Sequence, residues 1–130
     1  MATEADFRGR AGREFFTTLA EAGSMLGSGA LVVMAEGTDL LAAATNVLRF
    51  FRNESCGKCV PCRVGSAKAH QILSGLLAAG GGPAEVNGQI RQLEETLRKT
   101  SICGLGQVAL GPVTSVLRLG ERREEPRQST

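Results

Sequence analysis

Three of the four cysteines in this 130-residue chain lie in one short run, which constrains the fold more than any other feature. Residues 54–65 read E-S-C-G-K-C-V-P-C-R-V-G, so Cys56, Cys59 and Cys62 have the spacing C-x2-C-x2-C. The fourth cysteine, Cys103, is separated from Cys62 by forty residues. Because no cysteine is left over, a common site would require the fold to bring Cys103 back to the other three.

The spacing of these thiols is typical of a [4Fe-4S] site, since two-residue spacers let successive thiolates reach separate irons of one cluster. Zinc sites more often use two separated C-x2-C pairs, and a third cysteine two residues further on fits one tetrahedral ion poorly. A disulfide or a pair of redox-active thiols is a further alternative. We predict that Cys56, Cys59, Cys62 and Cys103 bind one [4Fe-4S] cluster, with zinc and thiol chemistry as the alternatives.

Apolar periodicity predicts a mainly α fold, in which a small four-helix bundle holds this site. A short helix and a strand are expected before the bundle, and the strand would need a pairing partner. The predicted helices cover residues 14–22, 39–52, 61–79, 84–99 and 112–119, and the predicted strand covers 31–34. We expect residues 1–37 to form an arm that docks on a partner, 38–119 to form the helical cluster domain, and 120–130 to form a charged, flexible tail.

A short turn at Gly80–Pro83 should make the helices on its two sides antiparallel neighbours. The first of these helices begins at Cys62 and the second ends near Cys103. Antiparallel pairing therefore returns Cys103 to the level of the other thiols, and the gap in sequence becomes a contact in space.

Charge and hydropathy exclude several classes of function. A net charge of +2 without a basic cluster gives no nucleic-acid surface, and no apolar run approaches the roughly 20 residues of a membrane span. Patterned cysteines of this kind suit a compartment in which thiols stay reduced, so we expect a cytoplasmic protein. We find no catalytic residues: the single histidine, His70, lies roughly 12 Å along a helix from Cys62, too far to share the site.

Several neighbours of the cysteines have expected supporting roles. Gly57 can take the positive φ that a tight metal loop requires. Lys58, Arg63 and Lys68 are either ordinary solvated charges or groups that offset the negative charge of a thiolate-ligated cluster.

The cysteine run closely resembles the iron–sulfur domain at the C-terminal end of the NADH-binding flavoprotein subunits of respiratory complex I. The same domain occurs in NAD-reducing hydrogenases and NAD-dependent formate dehydrogenases. The likeness covers about residues 20–119 and includes A-G-S-M-L-G-S-G-A-L-V-V-M at 22–34, F-F-R-N at 50–53 and S-I-C-G-L-G-Q at 101–107. The form around Cys103 is more similar to the hydrogenase and formate dehydrogenase branch.

This resemblance implies an electron-transfer subunit whose four cysteines ligate the cluster. Its partners would be a flavin and NADH subunit, further iron–sulfur subunits and a catalytic metal subunit. The flavin- and NADH-binding stretch of the family has no counterpart in this sequence, so we expect the chain alone to bind neither. Two alternatives stay open: a structural or assembly module held together by a cluster or zinc, and one part of a split NADH:acceptor flavoprotein.

Overall fold

The computed structural model divides the chain into two compact units, Met1–Glu36 and Gly37–Thr130. The residues that it describes are 32–124 and, before them, Leu19, Glu21, Ser24, Met25 and Gly27. Leu19 and Glu21 are helical, and the rest of the helix predicted over 14–22 lies outside the described residues.

The strand predicted over 31–34 is not found in the part of it that the structure describes. Residues 32–35 have no regular secondary structure, and Val32 and Val33 are 72% and 87% exposed. Leu31 lies outside the described residues. Two β-branched side chains provide a preference for extended backbone, but a strand also needs a hydrogen-bonded neighbour.

The described part of the second unit is helical, which confirms the mainly α fold class. It contains α1 (Leu40–Asn53), α2 (Val60–Ala79), α3 (Asn87–Thr100), α4 (Gly104–Val108) and α5 (Gly111–Glu124), with a 3₁₀ turn at Pro83–Glu85 between α2 and α3.

Local chemistry sets the ends of α1 and α2. The Asp39 carboxylate accepts the Ala42 N–H at 2.9 Å and so caps the first helix. In α2, Pro61 occupies the first turn, where its missing N–H removes no helical hydrogen bond. Gly80 ends α2 in the left-handed region at φ 66°, a conformation that glycine adopts without a side-chain clash.

The structure differs from the predicted helices at three places. The helix predicted over 84–99 begins instead at Asn87, because Pro83–Glu85 form a separate 3₁₀ turn. The short helix α4 was not predicted, since its two glycines each cost about 1 kcal/mol of helix propensity. The last helix extends to Glu124, so the first five residues of the predicted tail, 120–124, are helical; Glu and Arg are good helix formers. Residues 125–130 lie outside the described part.

The core lies between α1, α2, α3 and α5. Helix α1 packs against α2 and α5, while α3 packs against α2, α4 and α5. The fully buried large side chains are Leu48, Leu73, Ile90, Leu97, Leu110, Val113 and Leu117. This aliphatic core holds the start of α2 and the end of α3 in fixed positions, and the cysteines lie at these two places.

One close approach shows the direction of the α2–α3 pairing. Gly65, near the start of α2, lies so close to Leu97, near the end of α3, that a Cβ at residue 65 would overlap the leucine side chain. Contact between the start of one helix and the end of the next is antiparallel pairing, as the short turn predicted. Gly65 therefore allows the two helices to approach closely at the end of the bundle that carries the cysteines.

Candidate metal centre

The loop between α1 and α2 carries Cys56, and Gly57 shapes it. Gly57 has φ +74°, a left-handed conformation that other residues adopt only with strain. Its N–H donates to Ser55 Oγ at 3.3 Å. Cys56 is exposed on this loop, as is Lys58. The loop therefore presents one thiol and one cation to the surroundings, next to the start of α2.

Helix α2 positions the next two cysteines. Cys59 is its N-cap residue, and Cys62 lies in its first turn with only 5% of its surface exposed. The first N–H groups of an α-helix lack intrahelical acceptors and carry a partial positive charge. This end of α2 therefore favours thiolates over neutral thiols.

Cys103 lies on the segment that follows α3, and this segment contacts Cys59. The backbone N–H of Ile102 donates a hydrogen bond to the Cys59 thiol, and the N–H of Cys62 does the same. The Ile102 hydrogen bond is the main cause that lowers the pKa of Cys59 below its usual value. Since Ile102 immediately precedes Cys103, the fold brings the fourth cysteine next to the first turn of α2.

Cys62 is surrounded by small residues. The Ser55 hydroxyl lies 3.4 Å from its Sγ, and Ser66 Oγ donates to its carbonyl oxygen at 2.6 Å. A Cβ placed on Gly106 would lie 2.9 Å from Cys62 Cβ and 2.6 Å from Ser101 Oγ. Helix α4 can therefore pack against the first turn of α2 only because residue 106 has no side chain.

The hydroxyl of Ser101 helps to decide whether these residues fit an iron–sulfur cluster. Ser101 Oγ is buried and has no hydrogen-bond partner in the described part of the protein. A buried hydroxyl without a partner costs about 1–3 kcal/mol, which a sulfur atom bound at this site could offset as an acceptor. All four cysteines are free thiols, as cluster ligands must be before they are deprotonated. The donor set and the orphaned hydroxyl therefore both fit a [4Fe-4S] group.

The described residues contain no group of three or more His, Cys, Asp or Glu side chains arranged to hold one metal ion. A four-iron cluster makes a different demand, since each thiolate binds a separate iron.

Of the three cations considered from sequence, two lie at the cysteine loop. Lys58 is part of the loop, and Arg63 Cδ lies 3.7 Å from the position of a Cβ on Gly57. Lys68 instead lines an open cavity with residues of α3, among them Gln92 and Thr96. Lys58 and Arg63 therefore lie where a cation could offset the charge of bound thiolates, whereas Lys68 faces α3.

The contacts of His70 belong to a different part of the bundle. Its Nδ1 lies 3.2 Å from Arg52 Nη1 and 3.4 Å from Ser74 Oγ. Burial lowers the pKa of His70, and the charges of Arg52 and Arg49 lower it further. These contacts agree with the expectation that His70 is a helix residue outside the cysteine site.

Sequence reasoning did not identify Ser55 and Ser101 as parts of the Cys62 environment. Ser55 and Ser101 lie one and two residues from a cysteine, and this proximity was the only available signal. Their contacts with Cys62 depend on how α2 and α4 pack, which the local sequence does not specify.

A helical domain with free thiols at the start of one helix and after the end of the next fits the class of small iron–sulfur domains. Residues 42–124 match the NADH-ubiquinone oxidoreductase-F iron-sulfur binding region, and the chain belongs to this family. Its cofactor is accordingly a [4Fe-4S] cluster.

Known relatives are proteins of NAD- or NADP-linked enzymes. The NADP-reducing hydrogenase subunit HndC of Solidesulfovibrio fructosivorans is 36% identical over 102 residues, which cover 78% of this chain and 21% of that protein. The mitochondrial NADH-ubiquinone oxidoreductase 51 kDa subunit of Neurospora crassa is 34% identical over 103 residues, 79% of this chain and 21% of that subunit. The mitochondrial NADH dehydrogenase [ubiquinone] flavoprotein 1 of Dictyostelium discoideum is 33% identical over 103 residues, 79% of this chain and 21% of the relative.

The chain thus spans about a fifth of the length of these relatives. Within the described residues, none of the helices has the length and apolar character to cross a membrane.

Proposed function

We propose that Cys56, Cys59, Cys62 and Cys103 ligate one [4Fe-4S] cluster. The observation that carries this proposal is the close approach of Gly106 to Cys62: a Cβ on Gly106 would lie 2.9 Å from Cys62 Cβ, which joins the segment of the remote cysteine to the C-x2-C-x2-C run. The N-terminal end of α2 favours the thiolate form of Cys59, whose pKa is lowered. Lys58 and Arg63 provide further positive charge at the same loop.

The chain would serve as an electron-transfer subunit in a larger NAD(P)-linked oxidoreductase of the hydrogenase, formate dehydrogenase or complex I type. The names of the relatives support the hydrogenase and complex I types; the formate dehydrogenase type is supported by the sequence resemblance around Cys103. The bound cluster supplies the ability to accept and release one electron at a time. The residues of this chain hold it by four thiolates and direct backbone N–H groups toward the sulfurs.

The proposed partners are a flavin and NADH subunit, further iron–sulfur subunits and a catalytic metal subunit. Cys56 and Cys103 are exposed, so one side of the site is open to a partner. The cysteine pattern also supports the cytoplasm as the location, since patterned cysteines more often bind metal where thiols stay reduced.

Spectroscopy of anaerobically purified protein tests the ligand set. We expect about four irons and four sulfides per chain, and an EPR signal of a reduced [4Fe-4S] cluster. Cys103→Ser should lose the cluster or change its EPR signal, whereas Thr100→Ser, an exposed change at the last residue of α3, should leave both iron content and signal unchanged. Stoichiometric zinc in place of iron, or a Cys103→Ser protein with an unaltered cluster, would refute the assignment.

A second measurement separates electron transfer from a purely structural role. In the complex purified with its partner subunits, NAD(P)H or the partner's own substrate should reduce the cluster during turnover. A cluster that keeps one redox state throughout turnover would favour the structural or assembly module.

A further inference from the structure

Ser55 is placed to donate a hydrogen bond to the sulfur of Cys62. Its Oγ lies 3.4 Å from Cys62 Sγ and accepts the Gly57 N–H at 3.3 Å. Because the Gly57 N–H occupies an acceptor position of the oxygen, the hydroxyl proton is free to point at the sulfur. A thiolate has no proton to donate, so in the ligated state Ser55 must be the donor.

Ser101 brings a second hydroxyl to the same cysteine. Its backbone groups are satisfied, since its N–H donates to Leu97 O at 3.0 Å and its carbonyl accepts from Gln107 Nε2 at 3.1 Å. The hydroxyl is buried and finds no hydrogen-bond partner among the described residues. A Cβ placed on Gly106 would lie 2.6 Å from Ser101 Oγ and 2.9 Å from Cys62 Cβ, so both atoms are close to the same point. The orphaned donor is therefore enclosed beside Cys62.

We propose that the hydroxyls of Ser55 and Ser101 donate hydrogen bonds to the sulfur atoms on the Cys62 side of the cluster and thereby raise its reduction potential. The inference rests on the proposed function, in which Cys62 is a ligand. Reduction adds one electron, delivered by a flavin or iron–sulfur centre of a partner, and increases the negative charge on the sulfurs. Donors near those sulfurs stabilise the reduced state more than the oxidised state. Both serine protons stay on their oxygens, so these are positioning residues.

Redox titration of the cluster-loaded protein, monitored by EPR, tests the proposal. Ser55→Ala and Ser101→Ala should each lower the ratio of reduced to oxidised cluster at a fixed potential by about tenfold, which is the effect of one charge-assisted hydrogen bond. For a one-electron couple, this change is about 59 mV toward more negative potential.

Two control variants separate the hydrogen bond from general disturbance of the site. Ser55→Thr keeps the hydroxyl and should restore the wild-type potential. Ser66→Ala removes a buried hydroxyl that contacts the carbonyl oxygen of Cys62 and not its sulfur, so it should leave the potential unchanged. The proposal would be overturned if Ser66→Ala changed the reduction potential of the cluster, relative to wild type, by as much as Ser55→Ala does.

A second measurement on the wild-type protein covers the case in which an alanine variant fails to retain its cluster. After exchange into D₂O, ENDOR of the reduced cluster should show exchangeable protons coupled to it, and Ser55→Thr should keep the coupling assigned to the hydroxyl. Absence of couplings beyond those of backbone amides would overturn the proposal. A wild-type chain without a cluster overturns the proposed function as well, whereas a cluster with unchanged potentials in both alanine variants overturns this inference alone.

Discussion

Replacing Gly106 with alanine tests whether close packing of α4 on α2 holds the site together. A Cβ at this position would lie 2.6 Å and 2.7 Å from Ser101 Oγ and Cβ, and 2.9 Å from Cys62 Cβ. Rotation about χ1 can move the Ser101 hydroxyl away, but the two Cβ atoms are attached to the backbone and cannot move by a rotamer change, so α4 must shift. Overpacking of this kind typically costs about 1–3 kcal/mol. The gain in helix propensity, about 1 kcal/mol, opposes this cost.

Gly104→Ala is the matched control, because it lies in the same short helix and nothing is within 4 Å of its added Cβ. Neither glycine has a positive φ, so alanine fits the backbone at both positions. The propensity gain is common to the two variants, and their difference in unfolding free energy should therefore be about 1–3 kcal/mol, with Gly106→Ala the less stable.

The assay is anaerobic denaturant unfolding of the cluster-loaded protein, followed by far-UV circular dichroism and by the visible absorption of the cluster. We expect Gly106→Ala also to release its cluster faster, since the shift occurs at Cys62 and next to Cys103. The reasoning is refuted if the two variants unfold at the same denaturant concentration and retain their clusters equally well.

Three further predictions concern the core, a helix cap and the histidine. Leu73→Ala removes a fully buried side chain of α2 and should lower the unfolding free energy by about 2–5 kcal/mol. Val64→Ala, at a half-exposed position of the same helix, should change the unfolding free energy by about 0.5 kcal/mol or less. Denaturant unfolding of both variants measures the difference. Asp39→Ala removes the acceptor for the Ala42 N–H and should destabilise the protein by about 1 kcal/mol, while Asp39→Asn, which keeps a capping oxygen, should stay near wild type in thermal unfolding. Burial and two arginines hold the pKa of His70 below its usual 6.5, so the unfolded chain takes up this proton first as the pH falls. The stability that depends on neutral His70 is therefore complete above pH 6.5 and declines as the pH falls from 6.5 toward the lowered pKa of the folded state. Stability curves of the wild type and of His70→Gln should diverge in that window, and parallel curves would contradict the prediction.

Elements with a long apolar stripe could be predicted from sequence almost to the residue. Helix α1 was expected over 39–52 and covers Leu40–Asn53, and α2 was expected over 61–79 and covers Val60–Ala79. Both have one face that the core buries, and Gly80 gives α2 a clear stop signal. Where propensity and packing disagree, the sequence was a poor guide, as in α4. Its glycines predict a turn, but the lack of a side chain at Gly106 is what allows a helix to pack there.

The sequence could predict those parts of the candidate site that depend only on the types of residues and on their spacing. Four thiols in this pattern are enough to indicate a [4Fe-4S] cluster, and the ligand set stays a prediction that the proposed spectroscopy tests. The hydroxyls near Cys62 could not be predicted, because their positions follow from the contact between two helices. The same is true of Lys68, which lies near the cysteines in sequence but faces α3.

The placement of the fourth cysteine depends on residues outside the cysteine run. Gly65 lets the end of α3 approach the start of α2, which brings the segment after α3 to the first turn of α2. Gly106 then lets α4 pack on Cys62 directly after Cys103. The run E-S-C-G-K-C-V-P-C alone therefore supplies only three thiols, which come from one loop and one helical turn. The fourth ligand that we propose, Cys103, depends on two helix contacts whose closeness is set by glycine, so the residues that position the proposed ligands are spread over the helical unit.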